Sequence, residues 1–141
     1  MNMEIANKEK YFEHDDNIGI IGHGDSVESC FENIARTLFS LIADIENIHS
    51  LQVISIEFEE ENVVAALRTW LAFLLEKSKE QQILFGDFRL RREGNHWKAT
   101  VSGEPLRMDL LQGVEVKGVD AGEISVNKIN LIWEARCVVE V

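Results

Sequence analysis

Basic residues are scarce in this sequence of 141 residues: 14 lysines and arginines stand against 25 aspartates and glutamates, a net charge of −11. A nucleic-acid-binding face needs a basic stripe to neutralise phosphates, so the isolated chain is not expected to bind RNA or DNA directly. The same deficit disfavours an anionic membrane surface. It suits cations, either a metal ion or a basic protein surface. Proline is almost missing, with Pro105 alone, and no linker, low-complexity tract or repeat divides the chain. Two cysteines, Cys30 and Cys137, lie far apart without a CxxC neighbour. That excludes zinc-ribbon and redox motifs and leaves two small core hydrophobes in a reducing compartment. No run approaches the ~18 apolar residues of a membrane-spanning helix. The polar start, Met1 to Lys10, lacks the apolar run of a signal peptide. A cytoplasmic protein is expected.

What is present is ordinary for a globular domain, with 45% hydrophobic and 28% charged residues. A chain of this length buries about 68% of its unfolded surface and needs no disulfide framework. We read residues 1–141 as one domain, with 1–10 a flexible or strand-forming N-terminal segment.

A short apolar run, Ile18 to Gly22, leads into Gly22-His23-Gly24 and then a helix. The helix starts at Asp25 or Ser26, and Asp25 with Glu28 fits a capping box. Val27, Cys30, Phe31, Ile34, Leu38, Leu41 and Ile42 supply its apolar stripe. Leu51 to Phe58 alternates as a strand. Glu59, Glu60 and Glu61 precede a second helix near Asn62, whose stripe is Val63, Leu67, Trp70, Leu71 and Leu74. After it the period turns to two. Ile83 to Arg92 and Trp97 to Ser102 form a hairpin around Glu93-Gly94-Asn95. Val114 to Val119, Glu123 to Asn127 and Leu131 to Val141 complete the strands. Two helices with strands grouped late imply an α+β fold. The two-layer form is a mixed β-sheet with two long helices packed on one face.

The turn Gly22-x-Gly24-x-x-Val27 superficially fits a dinucleotide-binding fingerprint, with Asp44 at the acidic position. Val27 replaces the third glycine, Asp25 repels a diphosphate at that helix start, and alternating strands and helices are lacking. A tight strand-to-helix turn is the better reading.

With these elements in place, five separated motifs make the chain resemble the archease family from Tyr11 to Val141. The first is Glu13-His14-Asp15-Asp16-Asn17-Ile18-Gly19, similar to the family's aspartate-histidine-threonine-alanine-aspartate opening. The second runs from Gly24-Asp25-Ser26-Val27-Glu28 through Cys30-Phe31 to Asp44. The third is Leu67-x-x-Trp70-Leu71 with Leu74-Leu75. The fourth is Gly103-Glu104 with Val114-Glu115-Val116-Lys117-Gly118-Val119. The fifth is Trp133-x-Ala135-x-Cys137-x-Val139-Glu140-Val141. The resemblance implies an accessory, chaperone-like protein and not an enzyme. Its partner is the GTP-dependent RNA ligase of tRNA splicing and RNA repair. The accessory protein promotes ligase guanylylation and multiple turnover, and it meets RNA only through the ligase. A homo-oligomer is compatible with this reading.

The resemblance also implies a divalent cation, calcium above all, near the opening motif and the C-terminus. Its ligands fall on Asn17, Glu140 and Val141, with Asp16 and Glu13 as additional candidates. A hard cation takes mixed carboxylate, amide and carbonyl oxygens. Asn17 offers a neutral oxygen where the family has aspartate. Asp16 on a strand points to the opposite face; in a loop it can turn in and compensate. His14 matches the family histidine and either orients a carboxylate or fixes the local turn. Lys117 falls on the family lysine and contacts the ligase or a phosphate, where an isolated lysine would pair with Glu115 or Glu140. The family's asparagine-glutamate pair is Ala72-Phe73 here.

His23, His49 and His96 show no acidic partner at metal spacing and read as surface or turn residues. Arg89, Arg91 and Arg92 read as edge-strand charge. Ser26, Ser29 and Ser40 lack a strand-turn-helix nucleophile motif, so hydrolysis is not expected. Two alternatives remain at this stage: a small metal-dependent enzyme using His14, Asp15 and Asp16, and a divergent scaffold that has lost ligase activation.

Overall fold

The computed structural model describes residues 10–141. Of the expected flexible or strand-forming segment 1–10, residues 1–9 lie outside the described residues. The chain opens with β1 (Tyr11–His14), β2 (Asn17–Gly24) and helix α1 (Val27–Ile42). Strand β3 (Gln52–Glu59) and helix α2 (Val63–Gln81) follow. Then come β4 (Ile83–Glu93), β5 (His96–Pro105), β6 (Gly118–Ile129) and β7 (Ile132–Glu140). Single 3-10 turns lie at Ile45–Asn47 and Met108–Leu110.

The α+β class and the two long helices are as expected. The strands divide into two hydrogen-bonded sheets, in the orders β1-β2-β7-β6 and β3-β5-β4. Every strand pairing is antiparallel, where the sequence suggested one mixed sheet. The reason is connectivity: short turns join β1 to β2, β4 to β5 and β6 to β7, and a short turn can join only antiparallel neighbours. Helix α1 packs on β2 and β7 of the first sheet and on β4 of the second. Helix α2 packs on β6 of the first and on β3 and β4 of the second. Both helices therefore bridge the sheets, and one core contains residues of all these elements.

Helix α1 forms because its apolar positions recur at helical spacing; Cys30, Phe31, Ile34, Leu38 and Phe39 are fully buried. Its start differs from the expected Asp25–Glu28 box. Ser26 is the N-cap, its Oγ accepting the Ser29 N–H at 3.0 Å, while Ser29 Oγ accepts the Ser26 N–H at 3.1 Å. A cap must reach the third helical N–H. With Val27 as first helical residue, only Ser26 is in reach, and such a cap contributes about 1 kcal/mol. Helix α2 begins as expected, with Asn62 Oδ1 accepting the N–H groups of Val64 and Ala65. Trp70 of α2 donates its Nε1–H to the Phe31 carbonyl of α1 at 2.9 Å. Phe31 in turn stacks on Trp97 of β5, ring centroids 5.5 Å apart.

The strand expected over Val114–Val119 is not one. Residues 114–117 form a connector outside the ladder, and β6 runs from Gly118 to Ile129 through a bulge between Asp120 and Ile124. Val116 is buried, so period-two alternation here reports burial without pairing.

The glycines of the fingerprint-like turn serve packing. A Cβ on Gly22 would lie 2.5 Å from the Ile34 nitrogen, and one on Gly24 2.4 Å from the Cys30 nitrogen. Helix α1 thus rests directly on the backbone of β2. Gly22→Ala is expected to lower stability by about 3 kcal/mol, the upper part of the overpacking range, because backbone cannot give way as a side chain can. Urea unfolding measures this; an unchanged midpoint would show that α1 can lift from β2 at no cost.

Candidate functional site

The first two strands and the last two come together at one end of the four-stranded sheet. His14 of β1 pairs with Asn17 of β2. Ile18 pairs with Val139, so the next step of that register sets Asn17 beside Glu140 of β7. Glu140 pairs with Gly118 of β6. Cross-strand partners share a face, so His14, Asn17, Glu140 and Gly118 form one row across all four strands. The row lies on the face opposite to Ile18 and Val139, which pack on the core.

Two hydrogen bonds close the row. Asn17 Oδ1 accepts the Val141 N–H at 3.3 Å. The Lys117 N–H donates to the Glu140 carbonyl at 2.7 Å. Residues from the opening motif, the connector before β6 and the chain's last strand are thereby brought into contact. Beside the row, Phe12 lies flat on Gly19, where any Cβ would strike the ring. Arg136 covers the same ring at 4.5 Å.

The remaining candidates sit as follows. Asp15 and Asp16 form the exposed two-residue turn between His14 and Asn17, with Asp15 in the left-handed region at φ 54°. Asp16 is therefore in a loop, the case in which it can turn toward the row. Glu13 pairs with Ile18 and so points to the opposite face. His14 Nε2 stands 3.9 Å from Asp15 Oδ2. Lys117 is exposed and has no carboxylate within 4.0 Å among the described residues. The expected alternative pairing with Glu115 or Glu140 does not form. Its carbonyl accepts from Lys79 Nζ of α2 at 3.3 Å, and the two lysines line a shallow cavity of about 290 Å³ with Ala72 and Glu76.

Among the described residues no three His, Cys, Asp or Glu side chains converge as a metal cluster. The oxygens available at the row are the Glu140 carboxylate, the Val141 main-chain carbonyl and the second lone pair of Asn17 Oδ1. Asp15 and Asp16 stand at its edge. Gly118 leaves space beside the carboxylate, since a Cβ there would lie 3.3 Å from Glu140 Oε1. An all-oxygen set with an open side has the chemistry of a hard cation and not of zinc or copper. The two thiols contribute nothing: burial pushes both Cys30 and Cys137 up to about 12, so neither is a nucleophile at neutral pH.

The sequence profile of the Archease protein family matches residues 10–141. A protein archease of Thermococcus gammatolerans is 30% identical over 125 residues, covering 85% of this chain and 88% of its own. One from Pyrococcus abyssi is 30% identical over 138 residues, covering 94% and 97%. The solution structure of protein 1598 of Methanobacterium thermoautotrophicum superposes with a TM-score of 0.79 at 22% identity, covering 94% of this chain and 97% of its own. A Thermotoga maritima crystal structure, described as an archease and possible chaperone, gives 0.67 at 18% identity, covering 92% and 94%. These structures share the fold. The chain belongs to the archease family. No helix among the described residues is long and apolar enough to cross a membrane.

Three histidines that read as isolated in sequence have carboxylate partners supplied by distant elements. His23 Nε2 meets Glu134 Oε2 at 3.0 Å, and His49 Nδ1 meets Glu104 Oε2 at 3.4 Å. Glu104 is buried, and Arg107 and the His49 N–H hold its carboxyl below the usual range. His96 bridges Glu59 through Nδ1 and Glu57 through Nε2, and these hydrogen bonds raise its pKa above 6.5. A raised folded pKa stabilises the protein fully below the unfolded value, and the contribution is lost as pH rises through the folded one. His96→Gln is therefore expected to flatten the fall in stability as pH rises above 6.5. Urea midpoints across that range test this; parallel profiles for variant and parent would show that the bridge does not couple to folding.

Proposed function

We propose that the chain is a metal-binding accessory protein that activates a GTP-dependent RNA ligase in tRNA splicing or RNA repair. It promotes ligase guanylylation and repeated turnover, in the cytoplasm. Family membership supports the class. The observation that carries the reading within it is the hydrogen bond between Asn17 and Val141, which unites the opening and closing motifs at 3.3 Å. Asn17, Glu140 and Val141 would hold a divalent cation, calcium by its preference for oxygen ligands, with Asp16 the additional ligand. Glu13 is left out by its orientation. His14, in the same row, positions the turn that carries Asp15 and Asp16.

A bound cation supplies fixed positive charge at the sheet's end. The chain's own residues do the rest. Asn17 ties the last residue to the row, and Glu140 supplies the longer carboxylate. Lys117 presents an exposed ammonium, without a carboxylate partner among the described residues, for the ligase or a phosphate it carries. The net charge of −11 suits a basic, RNA-binding partner and leaves RNA contact to that partner. Against the small-enzyme alternative, Asp15 and Asp16 stand in an exposed turn beside His14, where water is not excluded.

Asn17→Asp is expected to tighten calcium binding roughly tenfold by adding a charged oxygen; calorimetric titration measures it, and unchanged affinity would remove Asn17 from the ligand set. Added to the cognate ligase with GTP and saturating calcium, the protein is expected to accelerate ligase–GMP formation. Lys117→Ala is expected to weaken that acceleration without loss of stability, since an exposed unpaired lysine contributes little to folding. No acceleration by the unmodified protein would leave the divergent-scaffold reading.

A further inference from the structure

The β6–β7 hairpin runs on past the sheet that supports it. Strand β2 ends at Gly24, opposite Trp133, which also pairs with Lys128, so Ile129 to Ile132, one ladder pair and its turn, projects with β6 alone beside β7. Three of the four residues from Ile129 to Ile132 are aliphatic and open to solvent: Ile129 at 51%, Leu131 at 78% and Ile132 at 43% exposure. None of them packs on the core. The turn at the tip is Asn130-Leu131, with both residues left-handed at φ 51° and 73°. This two-residue turn normally carries asparagine followed by glycine, because a side chain at the second position is strained. Leucine there costs stability and returns no packing. Such a residue persists where something other than folding selects it.

The base of the hairpin is held firmly. Lys128 lies over the Trp133 ring at 5.9 Å, and Glu134 is fixed by His23 across the sheet. The apolar tip is therefore a convex finger on a stiff stem. It stands at the end of β7 opposite to Glu140, roughly 25 Å away at about 3.3 Å per residue.

We propose that this finger is a second docking element, inserted into an apolar socket with a basic rim on the partner protein that the Asn17–Glu140 end serves. The inference rests on the partner-protein reading above. A second copy of the chain does not fit the finger. Two tips face to face bury far less than the ~1,600 Å² of a stable interface. The cavities on this chain carry charged walls, with Lys10, Arg36 and Glu46 in one and Glu57, Glu76 and Lys77 in another. A basic rim is inferred from charge: at the root of the finger Asp25 and Glu28 outnumber Lys128, and the chain as a whole carries −11.

The test uses the full chain and the cognate GTP-dependent RNA ligase, with affinity measured by calorimetry or surface binding. Leu131→Gly and Leu131→Asn both suit a left-handed residue, so each is expected to keep or raise the thermal midpoint. Each is expected to weaken ligase binding roughly tenfold, as loss of an anchor residue does. A structural role would move stability and affinity down together. Ile132→Thr is expected to weaken binding in the same sense. If the parent protein binds the ligase and both Leu131 variants bind equally well, the finger is not a docking element and the activator reading stands. If the parent itself fails to bind, both readings fall.

Discussion

Helix α1 lies against strand β2 at two glycines, and most of the molecule is arranged around that contact. Gly22 and Gly24 bring the Ile34 and Cys30 backbones within a distance that no Cβ would permit. With α1 so seated, its opposite stripe can reach the second sheet, where Phe31 stacks on Trp97 and Phe39 meets Phe85 and Phe88. Trp70 then fixes α2 by its bond to the Phe31 carbonyl. The same strand, β2, carries Asn17 at its other end. Strand position thus couples the packing of the core to the placing of the row.

Periodicity made the helices legible. A 3.6-residue stripe with a polar cap has few alternative readings, and both helices begin within a residue of the expected start. The period-two signal was less specific. It marked β3, β4, β5 and β7 well, yet gave Val114 to Lys117 as strand because burial of Val116 produces the same alternation without a partner. Division into two sheets was not legible, since alternation says which face is buried and not which strand is the neighbour.

The candidate site was legible only as fragments. Asn17 and Val141 are 124 positions apart, and no local pattern reports that the second and last strands are neighbours in one sheet. The histidines illustrate the same limit from the other side. His23, His49 and His96 looked solitary because their carboxylates come from Glu134, Glu104 and the Glu57–Glu59 face. In an acidic chain folded into sheets, a histidine on a strand surface has carboxylates nearby by composition alone. Their presence says more about charge balance than about chemistry. Glu13 shows how a one-residue offset decides membership, because strand alternation turns it away from the row it precedes.

The three tryptophans occupy three different optical environments. Trp70 and Trp97 are sealed in the core, whereas Trp133 is half-buried at the root of the projecting hairpin beneath Lys128. Their emission therefore separates by origin. A soluble quencher is expected to reach the indole of Trp133 before the other two, while unfolding exposes all three. The protein carries its own fluorophore at the stem of the finger, and the stem can be watched in complex with other molecules without labelling a single residue.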